Sequence, residues 1–184
     1  MGRPKKFSRE GVLEKVIPVF WQLGYSGTRL QDLEMASGVN KSGLYSEFKD
    51  KEDLFLASLQ HYLKNRGGRA LLIEEPLGWS NVERFLRMAD GGFDGKLGCF
   101  SVNSMREFVN LPAEAQKMVA EGRSMIKGLL ANNIRSEGSK AAAETIAEMV
   151  LVFFSGMCIE QNLDDAQESS SRKIDNFIEV ARGL

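Results

Sequence analysis

Residues 38–48 read GVNKSGLYSEF, and their spacing decides what kind of molecule this is. Val39, Leu44 and Phe48 recur at helical intervals, while Lys41, Ser42, Gly43 and Tyr45 fall on the opposite or flanking faces. One face of a short helix is thereby turned inward, and the other is left for something outside the chain. Asn40 stands at the N-cap of that helix, and Val39 is placed to staple onto Leu44. A helix that stops at about Phe48 is too short to persist alone. Its neighbours must hold it.

Working outward, Gly38 supplies a tight turn. Leu30, Leu33 and Ala36 mark the buried face of a preceding helix, opened by a predicted capping box of Thr28 and Gln31. Upstream, Ser8 caps a longer helix with Phe7 and Val12 as its staple and Leu13, Val16, Ile17 and Phe20 as its buried stripe. Gly24 ends it, and Pro18 inside it predicts a kink. Two short helices joined by a glycine turn are the components of a helix-turn-helix. A DNA major groove about 12 Å wide admits one such helix, whose first turn reads base edges while Lys, Ser and Tyr hold phosphates.

Beyond the motif, a fourth helix is expected from Asp50 to about Arg66, with Glu52 and Asp53 suiting its positive end. Later helices are expected over 81–90, 98–110, 113–136, 139–163 and 168–182. No stretch alternates like a half-buried strand, so the reading is all-α. Residues 1–50 form the predicted helix-turn-helix domain, 51–66 a connecting helix, and 67–184 a helical body for ligand binding and dimerisation.

The charge divides along these lines. Up to Arg66 there are eleven Lys/Arg against eight Asp/Glu, whereas residues 67–184 hold thirteen against seventeen. The first third suits a polyanion. Cys99 and Cys158 match no zinc spacing, His61 is the single histidine, and neither a metal nor another cofactor is expected. The longest apolar run, MVLVFF at 149–154, is far below the roughly 20 residues that cross a bilayer. A cytoplasmic protein is expected.

The chain resembles the tetracycline-repressor (TetR) family of bacterial transcriptional regulators. The likeness lies in GRP near the start, VFWQLGYSGT (19–28), QDL (31–33), GVNKSGLYSEF and KDKEDLF (49–55). It implies a three-helix DNA-binding head on a helical ligand-binding and dimerising body, with repression of a palindromic operator relieved by a small molecule. By that likeness Thr28, Arg29, Asn40, Lys41, Ser42, Tyr45 and Lys51 would contact DNA. The family favours Gly then Ser or Thr after the helix-three lysine, a small or apolar residue at position 34, and an aromatic or His at position 47. This chain has Ser42–Gly43, Glu34 and Glu47, so one potential base-reading side chain is lost and no operator sequence carries over.

In the body, DGGFDGKLGCFSVNSMREF (90–108) fails as a phosphate-binding loop, because Asp90 and Leu97 stand where Gly and Ser or Thr are needed. The same stretch resembles one subset of the family through Gly98, Cys99, Phe100, Asn103 and Glu107. Asn103 and Glu107 are four apart, placed to cap neighbouring helices or to touch a ligand. Six of the eight methionines lie beyond residue 80, and adaptable Met and aromatic side chains line cavities. The candidate ligand set is Phe85, Met88, Phe100, Asn103, Phe108, Met125 and Phe153, for a small, largely apolar effector. Cys99 is a candidate redox or electrophile sensor, with buried packing as the alternative. An enzyme pairing Cys99 with His61 is disfavoured, since no third group orients a base. The helix over 144–162 is apolar nearly all round. That calls for burial on two sides, one of them a twin subunit.

Overall fold

The structure, a computed structural model, describes residues 7–90, 98–139, 142–161 and 166–184. The basic arm at 1–6 and most of the glycine-rich stretch lie outside them. Among the described residues there are helices and no strand. Helix α1 (Arg9–Gly27) starts as expected, with the Ser8 hydroxyl accepting the Gly11 N–H at 3.0 Å. Its non-helical residue is Gly24, at φ 72° and ψ 174°, and not Pro18. Glycine adopts that conformation without a Cβ clash.

The break rearranges the junction with the second helix. The Gly24 carbonyl beyond the break accepts both the Thr28 N–H at 3.3 Å and the Thr28 hydroxyl at 2.6 Å. Thr28 therefore closes α1 and does not open α2 (Leu30–Ser37). The N-cap of α2 is Arg29, whose N–H is accepted by the Asp32 carboxylate at 2.7 Å, one residue later than the Thr28–Gln31 box. Helix α3 (Lys41–Glu47) is capped by Asn40 as expected, whereas α4 (Lys51–Asn65) starts one residue later than expected, with Asp50 as its N-cap.

The body departs more. Gly67 and Gly68 carry the signal to stop a helix, yet after Gly67 turns at φ 80° a further short helix, α5 (Gly68–Leu72), buries Leu72. Helix α6 (Trp79–Arg87) runs into a 3-10 turn at Met88–Asp90. The single helix expected over 98–110 is split into α7 (Phe100–Met105) and a 3-10 turn at Phe108–Asn110, with Glu107 between them. Helices α8 (Ala113–Ser136), α9 (Ala143–Glu160) and α10 (Ala166–Arg182) complete the chain.

Helices α1 to α4 bury Val16, Phe20, Leu33, Leu44, Phe48 and Phe55, and the body buries Val82, Leu86, Leu130, Ile134, Ile146 and Val150. One apolar cluster runs through both. The seam between them is aromatic. Phe100 of α7 lies 5.9 Å from Trp21, 5.8 Å from Phe55 and 5.6 Å from Tyr62, ring centre to ring centre. Buried Asn133 pins the 73–78 segment to α8, accepting from Gly78 N–H and Asn81 Nδ2, both at 3.0 Å, and donating to the Leu72 carbonyl at 2.8 Å.

Candidate nucleic-acid interface

Helix α3 is fixed from every side. Val39, Leu44 and Phe48 are buried beneath it. Asn40 Oδ1 accepts the Gly43 N–H at 2.9 Å, and the Glu34 carboxylate accepts the Lys41 N–H. Glu34 thus serves as a second cap, which accounts for an acid at that position. At the other end Arg9 donates to the Glu47 carbonyl, with its guanidinium 4.1 Å from the centre of the Phe48 ring. Gly43 is not a vacated reading position. A Cβ there would lie 2.6 Å from Val39 Cγ1 and 3.3 Å from Phe7 Cε1, so the glycine lets α3 sit close.

What remains outside is polar. Lys41, Ser42 and Tyr45 are exposed, with the Lys41 ammonium 5.9 Å from the Tyr45 ring centre, and Arg29 is exposed at the start of α2. Two candidates stand differently. Thr28 is 1% exposed and its hydroxyl is bound to Gly24, so it offers no side chain outward. Lys51 donates to the Tyr25 carbonyl at 2.9 Å and the Thr28 carbonyl at 3.1 Å, 4.5 Å from the Tyr25 ring centre. It caps the end of α1.

That same end is gripped from the body. The N–H groups of Tyr25 and Ser26, left without helical partners by the break, donate to the Glu107 carboxylate, the second at 3.1 Å. A Cβ on Gly24 would lie 2.7 Å from Glu107 Oε1. Asn103 lines the same cleft. Burial, then Glu52, Asp50 and Glu107, push the Tyr25 phenol up. The expected helix-capping role of Glu107 is thus played across the seam, a partner no local signal could name.

Behind the seam a cavity of about 140 Å³ opens between α4, α5, α6, α7, α8 and α9. Phe85, Met88, Met125 and Cys99 line it. The other ligand candidates do not. Phe100 fills the aromatic seam, Asn103 faces α1, Phe108 is 36% exposed on its 3-10 turn, and Phe153 stacks on Phe177 of α10 at 4.1 Å. Aromatic identity cannot separate a cavity wall from a packed seam. The sequence reading also missed Tyr62, Arg66, Arg69 and Arg123, which line the cavity, because it weighed Met and Phe beyond residue 80 and no basic side chain.

The two thiols meet at this wall. Gly98, at φ 63°, lies so close that a Cβ would fall 2.1 Å from the Cys158 carbonyl oxygen. The Cys99 and Cys158 thiols share a hydrogen bond. Tyr62 OH donates to Cys99 Sγ at 3.5 Å and accepts the Phe100 N–H at 3.3 Å. The bond from Cys158, with Arg66 and Tyr62 behind it, pushes the Cys99 thiol well down against its burial, and the same bond with burial pushes Cys158 up. His61 is bonded to Asn65 at 3.0 Å, on the surface. Among the described residues no group of three His, Cys, Asp or Glu is arranged to hold a metal ion, and no helix is long and apolar enough to cross a membrane.

Residues 13–58 match the family model described as bacterial regulatory proteins, tetR family. The HTH-type transcriptional repressor ComR of Escherichia coli (strain K12) is 37% identical over 109 residues, 56% of this chain and 52% of that protein. The HTH-type transcriptional regulator YezE of Bacillus subtilis (strain 168) is 39% identical over 71 residues, 39% of this chain and 37% of that protein. The matches thus span about half or less of these relatives' lengths. Over nearly the whole chain the fold matches that of the TetR family transcriptional regulator CifR, a cysteine mutant complexed with operator DNA, at a TM-score of 0.81 and 23% identity, covering 96% of this chain and 98% of that one. Reduced Escherichia coli NemR matches at 0.73 and 18%, covering 94% of each.

Proposed function

We propose that this chain, whose residues 13–58 match the tetR family model and whose fold matches that of a TetR family regulator, is a transcriptional regulator of that family, a repressor released from a palindromic operator by a small, largely apolar ligand. Residues 1–50 serve as the DNA-binding domain, 51–66 as the connecting helix and 67–184 as the effector-binding and dimerising body. The observation that carries this reading is α3, a seven-residue helix fixed at both ends with Lys41, Ser42 and Tyr45 turned outward. Those residues and Arg29 contact DNA, while Asn40 and Lys51 hold the backbone that presents them. Footprinting on DNA upstream of the gene tests it. Lys41→Ala is expected to weaken all sequences alike and to lower the salt slope by about 1, whereas Ser42 variants change sequence preference. A chain that binds no duplex at low salt overturns the reading.

One such helix covers few base pairs, so two must act at a fixed separation. The outer stripe of α9 suits a twin subunit. Val152 is 60% exposed, Met149 and Ile159 are exposed beside it, Gly156 has nothing within 4 Å of a built Cβ, and Val180 of α10 is 66% exposed. Helix α4 is the lever, since Lys51 at its start touches α1 and Arg66 at its end reaches the cavity. A hundredfold loss of DNA affinity requires about 2.7 kcal/mol of coupling. Operator must weaken effector binding equally.

A second reading, regulation through Cys99 chemistry, is favoured by the placement of its ionisable thiol at the cavity wall. N-ethylmaleimide, to which a thiolate adds through a new S–C bond, is expected to label Cys99 first and release DNA. Labelling without release overturns that reading.

A further inference from the structure

The cavity's charge is lopsided. Its wall carries the guanidinium groups of Arg66, Arg69 and Arg123 against the single acidic thiol of Cys99 and no Asp or Glu, and the rest of the wall is mostly apolar, as at Phe85, Met105, Ile126 and Phe154. Each of the two inner guanidinium groups is held in place. Arg66, from the end of α4, donates to the Met88 carbonyl and lies 5.5 Å from the centre of the Tyr62 ring. Arg123, midway along α8, pairs with Glu148 of α9 at 2.6 Å. Lys127 pairs with the other oxygen of the same carboxylate at 3.1 Å, so the trio keeps a net positive charge and Glu148 keeps a partner if Arg123 swings toward the cavity. Arg69 also lines the adjoining cleft, which carries Lys64, Glu114 and Glu121. Its charge is therefore offset at the mouth, which leaves Arg66 and the net charge of the Arg123–Lys127–Glu148 trio beside the cavity.

We propose that the effector is a small apolar monoanion, a carboxylate whose skeleton fills the space between Phe85, Met105, Ile126 and Phe154 and whose charge is taken by Arg66 and Arg123. This rests on the effector-pocket reading above and deepens it. A cavity of about 140 Å³ is close to the roughly 150 Å³ that accommodates benzene in an engineered apolar site, so one ring or its aliphatic equivalent fits. In a site poor in water a carboxylate–guanidinium contact gains strength, and a cationic ligand meets like charge. The same contact transmits the signal, because an anion bridging Arg66 and Arg123 draws the end of α4 toward α8 and so moves the helix that carries the head.

Isothermal titration of the full-length chain with benzoate, its neutral amide benzamide and benzylammonium tests this. The acid is expected to bind at least about tenfold tighter than the amide, with the ammonium weakest. Arg66→Gln and, separately, Arg123→Gln are expected to weaken the acid more than the amide and so to shrink the gap between them, with thermal melting showing that each variant is folded. An amide that matches or exceeds the acid overturns the charge assignment while the apolar pocket stands. If none of the three binds and operator affinity is unmoved by all of them, the pocket reading falls together with this one.

Discussion

The head and the body are held together by different means. In α1 to α4 the helix starts are tied by nearby side chains, Ser8 to Gly11, Asp32 to Arg29, Asn40 to Gly43 and Asp50 to Asp53. In α5 to α9 no N-cap side chain makes such a bond, and those helices are placed by packing and by long-range partners such as Asn133 and Glu107. Each cap contributes about 0.5–2 kcal/mol and fixes its helix locally. A reader of DNA needs its first turn in one place, whereas a sensor needs helices that can settle in two positions. The contrast suits a rigid head steered by a body free to repack.

Four substitutions or titrations probe that contrast, the largest effect first. Phe100→Ala, at the seam where both regions meet, is expected to cost about 3–5 kcal/mol in urea unfolding. A loss under about 1 kcal/mol would show that head and body are not energetically joined there. Next, Gly43→Ala drives a methyl into Val39 and Phe7 and is expected to destabilise by about 1–3 kcal/mol. Gly128→Ala in α8, with nothing within 4 Å of its Cβ position, should instead stabilise by about 0.5–1 kcal/mol. Equal effects would abolish the distinction between a close-fitted head and a tolerant body. Third, Asn40→Ala is expected to cost about 1 kcal/mol in stability and to weaken operator binding further by fraying α3, measured by fluorescence anisotropy. Unchanged DNA affinity would mean that Glu34 alone suffices to hold Lys41.

The thiol pair gives the smallest effect. Folded Cys99 ionises below the ordinary thiol value and Cys158 above it. As pH climbs toward about 8.5, the unfolded chain keeps a proton that folded Cys99 has released, so stability rises. It is lost again as pH falls through the depressed Cys99 value. Past about 8.5 the unfolded chain sheds the proton that folded Cys158 retains, and stability declines. Melting temperature against pH is expected to show this crest, and Cys158→Ala, which removes the donor to Cys99, to flatten it. An unflattened crest would place its origin elsewhere.

Legibility in the sequence divides in the same way. Ser8 and Asn40 could be assigned as caps because the groups they bind lie three residues away, and α8 could be bounded because Pro112 and Gly138 flank it. Helix α5 could not, since its burial depends on Leu72 meeting the body. The Thr28–Gln31 box slipped by one residue because the Gly24 break offered Thr28 a better acceptor. At the candidate interface Lys41, Ser42 and Tyr45 were legible from alternation with buried neighbours, but Thr28 and Lys51 were not, because their partners belong to the end of α1. Phe100 and Phe153 had the composition of cavity walls and turned out to be seams. Arg66 and Arg123 become cavity residues only once α4 and α8 are side by side.

The clasp of Glu107 on the Tyr25 and Ser26 amides bears on how such proteins can be recombined. A head of this kind cannot be grafted onto any helical body of suitable shape, because the glycine that breaks α1 leaves two donors that only an incoming acid satisfies. A chimera lacking an acid at that place would inherit a reader with a loose collar, folded yet indifferent to its sensor. Supplying one carboxylate at the graft point should restore obedience to the effector. Beside the aromatic seam, compatibility between modules in this molecule thus depends on the pairing of Gly24 with Glu107, and in shuffled libraries those two positions should be kept or exchanged together.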